Sequence, residues 1–543
     1  MADGSVKKAG DICVDDVVMG WSQSKDGPSV GPATVSNVMT GYDKLYHVRL
    51  LGYRGVPLDE SFTVTSRHKL VLVDPQVSVR IVHSRERRTV TVRYPALQKY
   101  DGDASLTEVL GWKSQMFSYT SRQAICYPNL EAARHAAEQK RRELKGKGVK
   151  KMSIKNRANT LLLLVGDWNG VPKWTHGQGT FRYGGPSSRL HDRWYASEDE
   201  AMDAASSFAA EHRGQQCIWT PTVCEFLEFL SKEPGRAKDF RMLRYMAVMS
   251  FEKCGSQSVY NIDQAIKLCA KPPQEGAATA EDVCYAIGLH MADGNALLAE
   301  FYIGEHETQI LNFLEKFATG LGLTVRKRKP FEDVPMFTVS LKGRGGKREN
   351  MLMKIFRSIG YLKTRGKTVS DELEMNLLRQ PPHLRRSVIA GFIDGDGHAW
   401  KCRQCGEPRC GGGYIVSQNV GTSASFGHDQ LIRLVQRLAR SLGLQSNLHT
   451  RTRECGPNSI IRKRTSTKVM SMHLTGKGVE LIPCKQKPLG VCSCEKRKQP
   501  YRGVVQFEVV EHEENAPYAG FELKDSPLFL LENCMVVHNC KAN

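Results

Sequence analysis

Two short segments constrain the fold of this 543-residue chain more than any other feature. YAIGLHMADG (285–294) and VIAGFIDGDG (388–397) each read as a small-residue helix ending in Asp-Gly. Each carries a glycine, Gly288 or Gly391, where the missing side chain lets a second helix come close. Two such helices packed side by side would bring Asp293 and Asp396 together at one end of their interface. Adjacent carboxylates repel unless a divalent cation lies between them, so the pairing implies a hard metal such as Mg²⁺. The stretch downstream of each segment repeats as well. FLEKFATGLGL and LVQRLARSLGL read as helices, and FTVSLKG and SMHLTGKG as strands. The step from the motif acid to Leu-Gly-Leu is 28 residues in the first copy (Asp293 to Leu321) and 46 in the second (Asp396 to Leu442). The 18 extra residues are largely a cysteine-rich insert after Trp400. A lone Asp-Gly after an apolar segment marks only a helix end, whereas two copies with one flanking order mark a duplication.

The chain ends have a different texture. Residues 1–75 are short, alternating strand-like runs (VDDVVMG, YHVRLLG, FTVTS, HKLVLV), and residues 500–543 contain VVQFEVVE, YAGFEL, LFLL and CMVVHN. Two β-rich ends around a different middle predict one β domain interrupted by a long insertion. Residues 76–235 hold a weaker repeat, in which strand-like runs lead to a helix twice. Phe117 and Tyr119 match Phe181 and Tyr183 at an offset of 64, and Tyr127 matches Tyr195 at 68. Two contiguous sheet-plus-helix units are expected there, a linker at 236–280, and the duplicated domain at 281–499.

The chain has 77 Lys+Arg against 57 Asp+Glu, a formal net charge of +20, which favours a polyanionic partner. Nine of the basic residues lie between Lys140 and Arg157, with Glu143 the only acid. Lys140, Arg141, Arg142, Lys145, Lys147, Lys150 and Lys151 are candidate contacts to a DNA backbone, although such a run also serves as a solvated tether. The longest apolar run, Leu161 to Val165, is far short of a bilayer span. The start MADGSVKKAGD has no signal-peptide core. A soluble intracellular protein is expected, nuclear if the cell has a nucleus. Sixteen cysteines spread this thinly suggest reduced thiols with one metal cluster. His398, Cys402, Cys405 and Cys410 are candidate ligands of a structural zinc, the alternative being reduced thiols in a variable hairpin.

The end of the chain carries its own chemistry. In Val536-Val537-His538-Asn539-Cys540 the Asn539 amide can attack its own carbonyl, form a succinimide and cut the chain. His538 can supply the protons, and Cys540 can accept an acyl group as thiolate.

These motifs carry three resemblances. The paired motifs resemble the dodecapeptides of LAGLIDADG homing endonucleases, the second almost letter for letter and the first with His290 and Met291 in place of aliphatic or aromatic residues. That resemblance implies metal binding by Asp293 and Asp396 and not by Asp394. It also implies a lysine ahead of the second motif, matched by Lys367, and one late in the second repeat, matched by Lys487 with Lys498 in reserve. The chain ends resemble the Hint (intein) protein-splicing fold, with Thr65-Ser-Arg-His68 similar to its Thr-x-x-His box and YAGFELKDSPLFLLENCMVVHN similar to its closing motifs. Both ends and most of the middle are similar to fungal vacuolar-ATPase inteins and yeast mating-type-switching endonucleases. The fold class implied is multidomain: an all-β Hint domain from both ends, small α+β DNA-recognition insertions, and a pseudo-symmetric α/β endonuclease domain. The expected activity is Mg²⁺-dependent double-strand cleavage at a long, asymmetric DNA site by a monomer. The alternatives are an autoprocessing intein and a non-cleaving DNA-binding derivative. The usual first nucleophile would precede the Ala2-Asp3-Gly4-Ser5 hairpin, and a histidine usual in the closing motifs is replaced by Ser526-Pro527-Leu528. Tail cleavage at Asn539 is therefore expected from this sequence, and full splicing is not.

Overall fold

The computed structural model describes residues 1–24, 27–52, 55–75, 77–87, 89–100, 107–119, 124–127, 129–148, 151–157, 160–166, 180–183, 193–195, 197–212, 217–251, 261–269, 277–295, 297–329, 335–343, 350–363, 366–367, 369–401, 411–420, 428–454, 466–489, 503–524 and 526–539. It divides into two compact units, Met1–Leu72 with Thr220–Asn543, and Val73–Trp219. None of the described helices is long and apolar enough to cross a membrane.

In the first unit, strands from both chain ends share one eight-stranded sheet. Its members are β1 (Val17–Ser24), β2 (Gly27–Leu51), β3 (Pro57–Thr65), β4 (Leu72–Val73), β13 (Arg241–Leu243), β23 (Val504–Leu523), β24 (Leu528–Leu530) and β25 (Val536–His538). The order is β25-β24-β1-β2-β23-β13-β4, with β3 on β2. The antiparallel ladder from Val35↔Leu523 to Leu51↔Gln506 joins residues nearly 500 apart in the chain. Alternation places Val35, Val48 and Leu50 wholly inside, and Val35 packs with Val18, Ala33, Phe521 and Leu523. Helix α3 (Val223–Lys232), started by a Thr222–Glu225 capping box, also belongs here. Leu70 N donates to Pro221 O at 2.8 Å and Val223 N to His68 O at 3.0 Å. Residues 220–235 are thus hydrogen-bonded into the first unit, although their sequence groups with the stretch before them.

The second unit departs from the expected contiguous repeats. One sheet, ordered β12-β7-β6-β5, comprises β5 (Arg80–Ser84), β6 (Thr89–Tyr100), β7 (Thr107–Tyr119) and β12 (Arg193–Tyr195). The other, β8-β11-β10-β9, comprises β8 (Ala124–Tyr127), β9 (Lys151–Arg157), β10 (Thr160–Gly166) and β11 (Thr180–Tyr183). Each three-stranded meander takes its fourth, parallel strand from the other half of the segment. The helices follow their strands. α1 (Leu130–Gly146) buries Ala133 and Ala137 on Leu161 and Leu163, while α2 (Glu198–Glu211) buries Ala201 and Ala205 on Val90, Val92 and Phe117. The reason is geometric. A parallel neighbour needs a crossover of a dozen or more residues, and β8 follows β7 too closely to supply one.

The duplicated segment folds as two α/β repeats within the first unit. The first holds α4 (Ile262–Cys269), α5 (Ala280–Asp293), β14 (Glu300–Gly304), α6 (Thr308–Gly320), β15 (Leu323–Arg328), β16 (Met336–Gly343), α7 (Met351–Ser358), and the hairpin β17 (Leu362–Lys363) with β18 (Gly366–Lys367). The second holds α8 (Asp371–Leu378), α9 (Pro382–Asp396), β19 (Gly397–Lys401), β20 (Gly411–Val420), α10 (His428–Ser441), β21 (Gln445–Glu454) and β22 (Ser466–Thr475). The sheets β14-β16-β15 and β20-β22-β21 correspond strand for strand. β19 extends the second sheet through Gly397↔Val416, where the first repeat has the bridge Gly294↔Phe301.

Helices α5 and α9 form the centre of a continuous core. A Cβ on Gly288 would stand 1.9 Å from Val388 O, and one on Gly391 would stand 2.0 Å from Tyr285 O. These backbones touch, so no side chain fits at either crossing. Both contacts are made to backbone, which cannot swing aside. Gly391→Ala is therefore expected to destabilise by at least the 1–3 kcal/mol typical of overpacking, read as a lower urea midpoint. Gly235→Ala, where a Cβ meets nothing within 4 Å, is the control and should leave the midpoint nearly unchanged.

Buried charges join the β sheet to the second repeat. Glu60 on β3 accepts from Arg244 at 2.8 Å, from Gln436 at 2.9 Å and from Arg440 on α10. Arg244 also donates to Asn447 on β21 at 3.1 Å. Burial pushes the Glu60 carboxyl up, but Arg440 and Arg244 outweigh it and hold it below the usual carboxylate range. Glu60→Ala would strand two buried guanidinium groups, so a loss of about 3–5 kcal/mol is expected in denaturant unfolding.

Candidate functional site

The glycine contacts set the α5–α9 crossing, and the crossing sets where the motif acids lie. A Cβ on Gly395 would be 2.5 Å from Ala292 Cβ and 2.7 Å from Asp293 Oδ2. The Asp293 carboxylate therefore leans across the interface onto the residue before Asp396. Both acids are partly exposed at helix C-termini, where the helix dipole already concentrates negative charge. Two carboxylates added there make a site that favours a cation. Among the described residues no group of three or more His, Cys, Asp and Glu is arranged to hold a metal. Two carboxylates nonetheless fit Mg²⁺, which commonly keeps waters and takes its other ligands from substrate phosphate.

Asp394 faces the opposite way. It is fully buried and accepts from Tyr285 Oη at 2.7 Å and from the backbone N–H groups of Lys485, Gln486 and Lys487 at 2.6, 3.2 and 2.9 Å. Burial, with the adjoining carboxylate, pushes the Tyr285 hydroxyl far up, so it stays a donor. Lys487 Nζ lies against the last carbonyls of α9, 3.3 Å from Ile393 O, 2.5 Å from Asp394 O and 3.1 Å from Gly395 O. Lys487 is thus at the acidic end of α9, acting as a C-terminal cap. Lys367 ends the β17–β18 hairpin, paired in register with Leu362. Lys498 lies outside the described residues.

Sequence reasoning missed Gln418. Its Nε2 donates to Asp396 Oδ2, and the residue is 5 % exposed. A signal was present: Tyr414, Val416 and Gln418 share one strand face, so the amide sits in phase with two fully buried residues. The corresponding residue of the first repeat is Ile303, so the two acids have unlike surroundings.

A second constellation lies in the β sheet. Thr65, His68, Val537 and His538 line a cavity of about 600 Å³ together with Ala9, Gly10, Phe62 and the 517–521 segment. His68 N is held by Thr65 O at 3.2 Å, and its buried Nε2 has no hydrogen-bond partner. Desolvation, with a smaller push from His538, lowers the His68 pKa from 6.5 to about 4, so the ring is neutral. His538 Nδ1 is 2.7 Å from Asn539 O, the carbonyl that succinimide formation would attack. Asn539 N donates to Pro527 O at 2.7 Å, and Ser526 Oγ donates to Trp21 O at 2.8 Å. Cys540 lies outside the described residues.

The basic run is divided. Lys140, Arg141, Arg142 and Lys145 are exposed on α1, and Lys147 is exposed at its C-cap. Three of them are paired: Lys140 and Lys147 with Glu143 at 2.8 and 2.9 Å, and Arg141 with Glu138 at 3.0 Å. The two lysines hold the Glu143 pKa at about 2. Lys151 begins β9, and Lys150 lies outside the described residues. Of the zinc candidates, Cys402, Cys405 and Cys410 also lie outside them, and His398 is exposed on β19.

Residues 1–164 match the family model described as Hom_end-associated Hint. The Hint match takes in Thr65 and His68 and extends into the second unit. Among solved structures, the chain is similar to one of mesophilic variants of the homing endonuclease I-DmoI, with 12% identity, 39% of this chain and 94% of that chain covered, and a TM-score of 0.23.

The neutral His68 of the Hint segment makes a pH prediction. The unfolded chain takes up a proton near pH 6.5 that the folded ring refuses until about pH 4. Stability should therefore fall as pH drops through that window, by at most ~1.4 kcal/mol per unit. His68→Gln should lose less stability than wild type between pH 7 and 4.5 in urea unfolding. Equal losses would show that His68 carries none of the acid sensitivity.

Proposed function

We propose that this chain is a site-specific DNA endonuclease with two pseudo-symmetric halves, carried on a Hint-type autoprocessing domain. The observation that carries the reading is the pair Asp293 and Asp396, held at one end of two helices in backbone contact. Together they would hold a hard divalent cation, which supplies water activation and charge neutralisation at a phosphodiester. Gln418 fixes one oxygen of Asp396, and Lys487 offsets negative charge at the carbonyl end of α9. Lys367 and Lys487 are the lysines assigned to orient the attacking water or the developing phosphate charge.

A duplex has its own local two-fold symmetry, so two related acids suit one strand each. Exposed Arg326 and Arg328 on the first sheet, and Asn419 and Arg451 on the second, supply backbone and base-edge contacts. The two repeats differ in sequence, so the recognised site is asymmetric and one chain suffices. The net charge of +20 supports a polyanionic partner.

A randomised duplex library incubated with protein and Mg²⁺ tests this. Wild type should cut a small set of sequences, and Asp293→Asn or Asp396→Asn should slow cutting by roughly 100-fold or more. Undiminished cutting by Asp396→Asn would remove the assignment.

The contact between His538 and Asn539 O favours a second activity, release of the residues after Asn539. The Asn539 side-chain nitrogen attacks its own carbonyl carbon, the 539–540 peptide bond breaks, and the Cys540 nitrogen leaves with a proton relayed by His538. Intact mass spectrometry should show loss of Cys540–Asn543 on incubation, abolished by Asn539→Ala. The same mass loss from Asn539→Ala would exclude the cyclisation route.

A further inference from the structure

We propose that His290 and Asp394 are positioning residues, each anchoring to the last turn of its motif helix the segment that carries that half-site's lysine. The proposal rests on the nuclease reading for its catalytic consequence, but the anchoring itself is independent of that reading.

In the second repeat the anchor is Asp394. Three successive backbone N–H groups, from Lys485 to Lys487, converge on its buried carboxylate with the Tyr285 hydroxyl. A carboxylate so fully satisfied holds the 484–488 turn rigidly. The turn is also pinned from the first repeat. Lys485 Nζ lies 4.8 Å from the Tyr285 ring centroid and 4.6 Å from that of Phe313, and Gln309 N donates to Gln486 Oε1 at 3.3 Å. Tyr414 Oη donates to Lys487 O at 3.1 Å. The result is an ammonium fixed on three consecutive carbonyls, Ile393 to Gly395, immediately before Asp396.

In the first repeat the position of Asp394 is taken by Met291, and the preceding residue, His290, takes over the task. His290 is fully buried on α5. Its Nδ1 is 3.0 Å from the Tyr361 hydroxyl and its Nε2 is 2.9 Å from Leu298 O. Tyr361, also fully buried, directly precedes the hairpin in which Leu362 pairs with Lys367. The histidine that makes the first motif irregular is thus the counterpart of the acid in the second. Both are polar groups in the last turn of a motif helix, tied to the chain just before or at a lysine. One is a carboxylate gripping backbone, and the other is an imidazole gripping a side chain.

Two isosteric variants separate positioning from bulk stability. Asp394→Asn weakens the nest, and Tyr361→Phe deletes only the hydroxyl. Amine-reactive labelling read by mass spectrometry should show Lys487 slow in wild type and about tenfold faster in Asp394→Asn. The exposed Lys342 should label at an unchanged rate. With a supercoiled plasmid carrying a site recovered from the library, each variant should slow one strand by about 10- to 100-fold. Nicked circles should then accumulate, with the nick in opposite strands for the two variants. Equal slowing of both strands, or unchanged Lys487 labelling in Asp394→Asn, would overturn the proposal. If wild type cuts no DNA, the nuclease reading falls, and the labelling result alone decides the anchor.

Discussion

The backbone contact between α5 and α9 is the constraint on which the rest depends. Gly288 lies against Val388 O and Gly391 against Tyr285 O, so the two contacts exchange equivalent positions of the repeats. That reciprocity means each motif helix meets the other at the corresponding residue. It also brings Asp293 against Gly395, so the acids converge because the glycines do. Side-chain packing alone would hold helix axes about 8–10 Å apart. A spacer of one methyl group at either crossing would separate the acids as well as the helices.

A convergence of acids at helix C-termini is electrostatically unfavourable for an empty site, and two groups of the second half offset it there. Lys487 puts a positive charge on the carbonyls that carry the dipole's negative end. Gln418 gives Asp396 a neutral donor where the first repeat has Ile303. The two half-sites therefore start from one backbone plan and reach different polar surroundings. The divergence runs parallel to the sequence, where the second motif is near-regular and the first carries His290 and Met291.

The features legible in the sequence were those that repeat or alternate. The motif acids, the glycines between them and the β-rich ends all come from short-range pattern. The strand exchange in the second unit was not legible. Phe117, Tyr119 and Tyr127 match Phe181, Tyr183 and Tyr195, and that match cannot say which meander receives which strand. Tyr119 in fact stands beside Tyr195, and Tyr127 beside Tyr183. Only the length a parallel crossover needs decides it, and that constraint concerns the connection rather than the strands. Glu60 was equally hidden. An acid in the run LDESFTV looks like an ordinary solvent-facing strand residue until arginines almost 200 and 400 positions away close on it.

The same buried charges govern how the duplicated segment is seated on the β sheet. Apolar packing between the β sheet and the second repeat would tolerate sliding, because the hydrophobic effect has no direction. Glu60 cannot slide: its two oxygens are shared among Arg244, just after β13, and Gln436 and Arg440, one turn apart on α10. Desolvating three charges is expensive, and equivalent apolar residues would often serve stability as well or better. The charges add geometry instead. Arg244 sits just after β13 in the sheet while reaching Asn447 on β21, so it meets both structures at once. The insertion is thereby held to the sheet in one orientation. The same sheet carries His68 and His538, so a single rigid set of arginines relates the cavity around them to the α5–α9 pair.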